Sequence, residues 1–252
     1  MMNARFVVIL LTGLLSQQAS SAFENWDEVK NQTNSAIQTT DTAALRQIQQ
    51  QLGNWSAAQT SWVHYWQAFI SFRLIDLEND TELKDNAMLD CKQHAEAAIN
   101  AGESSGESHA LLGSCLGRLA AGGLRAAMRY GSKANSTQDE SLLIAPDNPR
   151  VLLLAGLSDA NKPVMWGGDI DRAERRLRRA LEQLKSTNTQ LKDDSPWLPN
   201  WGLHDAYGHL ALALVKLERS DDALALIEEA RNNSITSDWL ESIENRLQGT
   251  SE

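Results

Sequence analysis

Along most of this chain apolar residues recur at i, i+3 and i+4, the spacing that places them on one face of an α-helix. Ala206 to Leu217 (AYGHLALALVKL) and Asp221 to Ala230 (DDALALIEEA) are the clearest cases. Alternating runs of Val, Ile and Thr, which would mark half-buried strands, are few. Turn clusters interrupt the helical pattern at Asn79-Asp80, Ala101 to Gly106 (AGESSG), Pro146 to Pro149 (PDNP) and Asp193 to Pro199 (DDSPWLP). These are short, as connections between antiparallel helices are. The pattern predicts an all-α protein of stacked antiparallel helical hairpins.

The hairpins carry a repeat. From His204 to Ser234, Tyr207, Leu210, Ala211 and Leu214 occupy one helix, and Ala223, Ile227 and Ala230 the next. Large residues on one helix there meet small ones on its partner, and Asp221 is placed to cap the second helix. This unit resembles the tetratricopeptide repeat. A second unit begins at Pro149, with Leu152, Ala155 and Gly156 followed by Ala173, Leu177 and Ala180. A third has His109, Leu112, Gly113 and Leu116, but its second helix, after Gly123, is degenerate. A fourth starts at Trp62, Tyr65, Trp66 and Phe69 and continues through Ala95 and Ala98. The anchors Trp66, Gly113, Gly156 and Ala211 lie 47, 43 and 55 residues apart, against about 34 in that family. The resemblance therefore implies an α-solenoid with enlarged inter-helix loops. Asn148-Pro149-Arg150, then Pro163 with Trp166-Gly167-Gly168-Asp169, then Asn200-Trp201-Gly202 follow in order. That series resembles a group of exported bacterial tetratricopeptide proteins, and at a distance the periplasmic repeat components that associate with transporters. It implies a fold and a compartment, and no reaction.

The first residues read differently. Arg5, the apolar run Phe6 to Leu15 and the small residues up to Ala22 have the layout of a secretory signal. A spanning helix needs about 20 apolar residues, so this run is too short to be a stable membrane anchor. The predicted organisation is a leader at 1–22, a polar helical segment at 23–57 and a repeat domain at 58–249. The polar, Gln-rich stretch within the second part admits either a loose helical hairpin or a partner-binding arm. The expected location is the periplasm, or outside the cell in a host with a single membrane.

Charge and cysteine usage narrow the function. The net charge is -10 over 252 residues, and the leader holds one basic residue and no acidic one. So acidic a chain repels nucleic acid and anionic lipid. Arg172 to Arg179 (RAERRLRR) is a local basic cluster with Glu174 inside it, read as a solvated helix face. Cys91 and Cys115 each lie 12 residues from the middle of the Ala101–Gly106 turn. At about 1.5 Å of rise per residue they reach the same height on neighbouring antiparallel helices, which makes them a candidate disulfide in an oxidising compartment. His64, His94, His109, His204 and His209 show no spacing of metal-binding type. The acid pairs Asp193-Asp194, Asp221-Asp222 and Glu228-Glu229 diverge on a helix rather than converge. No metal, cofactor or catalytic residue is assigned.

The tryptophans remain. Trp62 and Trp66, four apart, share a helix face and are expected in the core. Trp166 and Trp201 each precede glycine in a loop that leads into a helix, with Asp169 and Asn200 as expected caps. Trp166, Gly167, Gly168, Asp169, Asn200, Trp201 and Gly202 are the candidate binding residues. Either the rings plug gaps left by stretched repeats or they line an aromatic pocket. The expected function is a non-enzymatic scaffold whose groove holds a protein or peptide partner. The alternative is a small-ligand carrier or transporter accessory with a Trp-lined pocket.

Overall fold

The computed structural model describes residues 23–55, 59–189 and 195–249, and the expected leader lies outside them. Among the described residues the chain is all-helical, with eleven α-helices and no strand. They are α1 (Trp26–Gln38), α2 (Thr42–Asn54), α3 (Thr60–Leu77), α4 (Thr81–Asn100), α5 (Glu107–Ala120), α6 (Leu124–Ile144), α7 (Pro149–Asn161), α8 (Ile170–Thr189), α9 (Leu203–Lys216), α10 (Ser220–Asn232) and α11 (Asp238–Gly249). A single 3₁₀ turn, Val164–Trp166, lies between α7 and α8.

Short polar side chains start several helices by accepting from backbone N–H groups that have no partner inside the first turn. Asn25 accepts from Glu28, Asp41 from Ala44, Asp80 from Leu83, and Asn148 from Arg150 and Val151. Each such cap stabilises by about 1 kcal/mol. Asp221 does not cap α10: that helix begins one residue earlier, at Ser220, and Arg219 precedes it without a side-chain cap.

The pairs α5–α6 and α7–α8 run antiparallel. On α5, Gly106 lies against Ser141 and Ala145 of α6, whereas Gly113 lies against Ala134 and Gln138. Between α7 and α8, Asp147 pairs with Arg179, and Asp159 with Arg172 and Arg176. Cys91 on α4 and Cys115 on α5 form a disulfide with a Cα separation of 5.8 Å. The polar segment at the start of the chain is a packed hairpin, not an arm. Trp26, Val29, Leu45, Ile48 and Leu52 of α1 and α2 are buried in the same core as the later helices.

Helix α3 is buried all round, from Trp62 to Ile75 with few breaks, so it must be covered on every side. One cover comes from far along the chain. Trp66 Nε1 donates to the Trp197 carbonyl at 3.1 Å, Phe69 stacks on Trp201, and Arg73 binds Asp205 at 2.6 Å. An open helical stack would leave that face of α3 to solvent. The long connection between α8 and α9 supplies the tryptophans that close it.

Candidate functional site

The two Trp-Gly loops occupy different places and do different things. Trp201 is buried in the core against α3. Its ring stacks on Phe69 with centroids 4.4 Å apart and an interplanar angle of 14°. Its indole N–H donates to the Tyr65 hydroxyl at 3.0 Å, and that hydroxyl donates to Glu107 at 2.6 Å. Glu107 also accepts from Asn148 and Arg150, and Arg150 in turn donates to the carbonyls of Pro199 and Trp201. Four separated stretches of chain are thereby tied together. Burial, with the Glu107 carboxylate beside it, raises the Tyr65 pKa well above that of a free phenol. Gly202 has φ +118° and opens α9 without a side-chain cap. Asn200, expected to cap that helix, instead accepts from Asn34 of α1 at 3.2 Å.

The other loop is a rigid turn at the surface. Gly167 has φ +91°, where a side chain is strained, and its N–H bonds the Val164 carbonyl. A Cβ on Gly168 would lie 1.9 Å from the Lys162 carbonyl oxygen, so only glycine fits there. Asp169 accepts from the Arg172 N–H at 2.8 Å and caps α8. The basic cluster of α8 is partly folded inward. Arg172 holds the buried Asp159 in a two-point contact at 2.8 Å and also donates to the Gly167 carbonyl; Arg176 reaches the same carboxylate. Arg172 keeps its proton more firmly because of the hydrogen bonds to Asp159.

This scaffold presents the Trp166 ring to α6. The indole lies over Gly131, where a Cβ would come within 3.3 Å of it. Asn135 donates to the Trp166 carbonyl, and Lys162 donates to Asn135. Leu124, Met128, Gly131 and Asn135 share one face of α6, at i, i+4, i+7 and i+11. Leu124 and Met128 are 74% and 75% exposed, and Val164 and Met165, in the turn that carries Trp166, are 85% and 86% exposed. Large apolar side chains so fully in water are unusual, and here they lie on the helix face and in the turn that meet where Trp166 covers Gly131. Arg125 and Arg129 are exposed beside it.

Sequence reasoning singled out Trp166 but not Leu124, Met128, Val164 or Met165. The missed signal lay in the degenerate look of α6. Its buried positions include Thr137, Gln138 and Ser141, with Gln138 and Ser141 hydrogen-bonded to each other, while several of its apolar residues face outward.

No helix among the described residues is long and apolar enough to cross a membrane. No protein-family model and no curated protein matches the chain. Among solved structures, the chain is similar to the HusA haemophore from Porphyromonas gingivalis, with a TM-score of 0.59 and 18% identity, over 79% of this chain and 96% of that one. At that identity the likeness is one of fold, an all-helical architecture shared over almost the whole of the haemophore.

Proposed function

We propose that this protein is an exported, non-enzymatic carrier of a small, flat, largely apolar ligand of the tetrapyrrole class, held on the surface formed by Leu124, Met128, Val164, Met165 and Trp166. The observation that carries the reading is the exposure of these apolar residues on the face and in the turn that Trp166 joins, on a fold similar to that of a haemophore. A planar macrocycle covers exposed methionine, leucine and valine side chains and stacks against an indole. Arg125 and Arg129 offer charge to acidic substituents at its rim. The Cys91–Cys115 bond and the secretory layout of the first residues support export. The order of antiparallel pairs supports a tetratricopeptide-type stack with enlarged connections.

A scaffold for protein or peptide partners draws on the same helix order. It has less support at the inner face of α3, where a groove ligand would lie, because Trp197 and Trp201 occupy that place.

The test is a titration of the purified protein with haem and with metal-free protoporphyrin, followed by tryptophan fluorescence and visible absorbance. Saturable binding at one site is expected. Met128→Ser combined with Met165→Ser should weaken it about tenfold, which corresponds to about 1.4 kcal/mol. The melting temperature should not move, because both side chains are in solvent. Wild-type affinity in that double variant, or no saturable binding at all, would refute the proposed surface.

A further inference from the structure

Away from the Trp166 surface, α3 and α4 bring two histidines together at the mouth of a cleft of about 300 Å³. The cleft is lined by Leu52, Trp55, Val63, His64, Gln67 and His94, among others. The His64 and His94 rings lie with centroids 5.9 Å apart and planes 26° from parallel. We infer that His64 and His94 form a site for a divalent transition cation of borderline softness, such as zinc, nickel or copper.

The separation fits a shared ion. A ring nitrogen binds such a cation at about 2.0 to 2.1 Å, and the ring centre lies about 1.1 Å further, so two rings on one ion have centroids at most about 6.3 Å apart. The observed separation falls under that linear limit; a tetrahedral angle at the ion brings the centroids to about 5.1 Å, so the two rings close by less than about 1 Å on binding.

The surroundings prepare both rings as ligands. Gln67 donates its amide N–H to the Gln49 carbonyl at 3.4 Å, which turns its own carbonyl oxygen toward His64 Nδ1 at 3.2 Å. That oxygen only accepts, so Nδ1 carries the hydrogen and Nε2 keeps its lone pair. A ligating histidine is ordinarily held this way, its second nitrogen donating to an oxygen that sets the ring orientation. Gly53 makes room for this arrangement, since a Cβ there would press on the Gln67 amide at 3.3 Å. On α4, His94 Nδ1 is buried with no hydrogen-bond partner in the protein. Imidazole nitrogen suits zinc, nickel and copper better than magnesium or calcium. With two protein nitrogens the site leaves coordination positions for water.

The test uses the untagged protein and the metals alone, with no porphyrin present. Nickel, zinc and copper are titrated by calorimetry, and cobalt by its visible spectrum. One ion per chain is expected, with calcium and magnesium not competing. His64→Asn and His94→Asn should each lower affinity at least tenfold, and Gln67→Leu roughly tenfold, the size of a lost orienting partner. His109→Asn should leave binding unchanged, although His109 lies 3.8 Å from Glu140. Far-UV circular dichroism checks that each variant is folded. Binding that survives in folded His64→Asn and His94→Asn, or that is lost in His109→Asn instead, would overturn the assignment.

Discussion

Trp201 occupies the point where α3, α5, α7 and the approach to α9 meet, and its three kinds of contact act together. It stacks on Phe69, donates to Tyr65 and accepts from Arg150 through its carbonyl. Truncating a buried tryptophan removes a large apolar group and leaves a cavity that the surroundings fill only in part. Trp201→Ala is therefore expected to destabilise by about 3 to 5 kcal/mol, read as a lower urea midpoint with helical content retained in the absence of denaturant. An unchanged midpoint would mean that the ring is not the plug described here. His209 provides a second prediction at this scale. Burial pushes its pKa down to about 4, with Asp205 opposing and Arg73 adding to the shift. In the unfolded chain a histidine takes up its proton near pH 6.5. The contribution of neutral His209 is thus fully present above about pH 6.5 and is lost as pH falls toward 4, to an upper limit of about 3 kcal/mol. Burial would raise the pKa of its neighbour Asp205, but Arg73 and the nearby histidines outweigh that and lower it, so this carboxylate weakens the fold only in stronger acid. Stability measured between pH 7 and pH 4.5 should fall in the wild type and fall less in His209→Gln. Equal slopes would reject the assignment to this residue.

Between elements, two connections can be tested separately. The Cys91–Cys115 bond joins α4 to α5 across 24 residues. Closing a loop of that length restricts the unfolded chain and stabilises by about 3 kcal/mol. Reduction, or Cys91→Ser with Cys115→Ser, is expected to lower the melting temperature by several degrees while the helical spectrum persists. No response to reductant would show that the bond does not form in solution. The Arg73–Asp205 pair joins α3 to α9 across 132 residues and is largely shielded from water. Arg73→Met leaves a shielded carboxylate without its cation, at a cost of about 3 kcal/mol. Adding Asp205→Leu should recover much of that loss, since an apolar pair replaces a broken ionic one. A double variant no better than the single one would mean that Arg73 acts mainly through its packing on α3.

For the whole molecule, the order of helices was legible from periodicity, but the way they close was not. The 3.6-residue pattern and the turn clusters predicted antiparallel pairs, because short connections leave little choice of direction. The equal distance of Cys91 and Cys115 from one turn followed from the same local geometry. Where Trp201 ends up could not be read in this way: its partners Tyr65 and Phe69 are more than 130 residues earlier. Both expectations for the Trp-Gly loops were reasonable locally, and the fold separated them. Trp201 is enclosed, while Trp166 lies half-covered on α6 among exposed apolar side chains.

What the sequence determined by itself was therefore the helical class, the direction of helices joined by short turns and, among the expected caps, that of Asp169 on α8. These depend on interactions within a few turns of chain, which spacing records directly. Only the tertiary structure decided that α3 is enclosed, that His64 and His94 face each other, and that Leu124, Met128 and Leu143 of α6 point outward while Thr137, Gln138 and Ser141 are buried. Each of those facts depends on which helix covers which face. Spacing along the chain gives a helix its faces, but the packing of distant segments chooses which of them meets water.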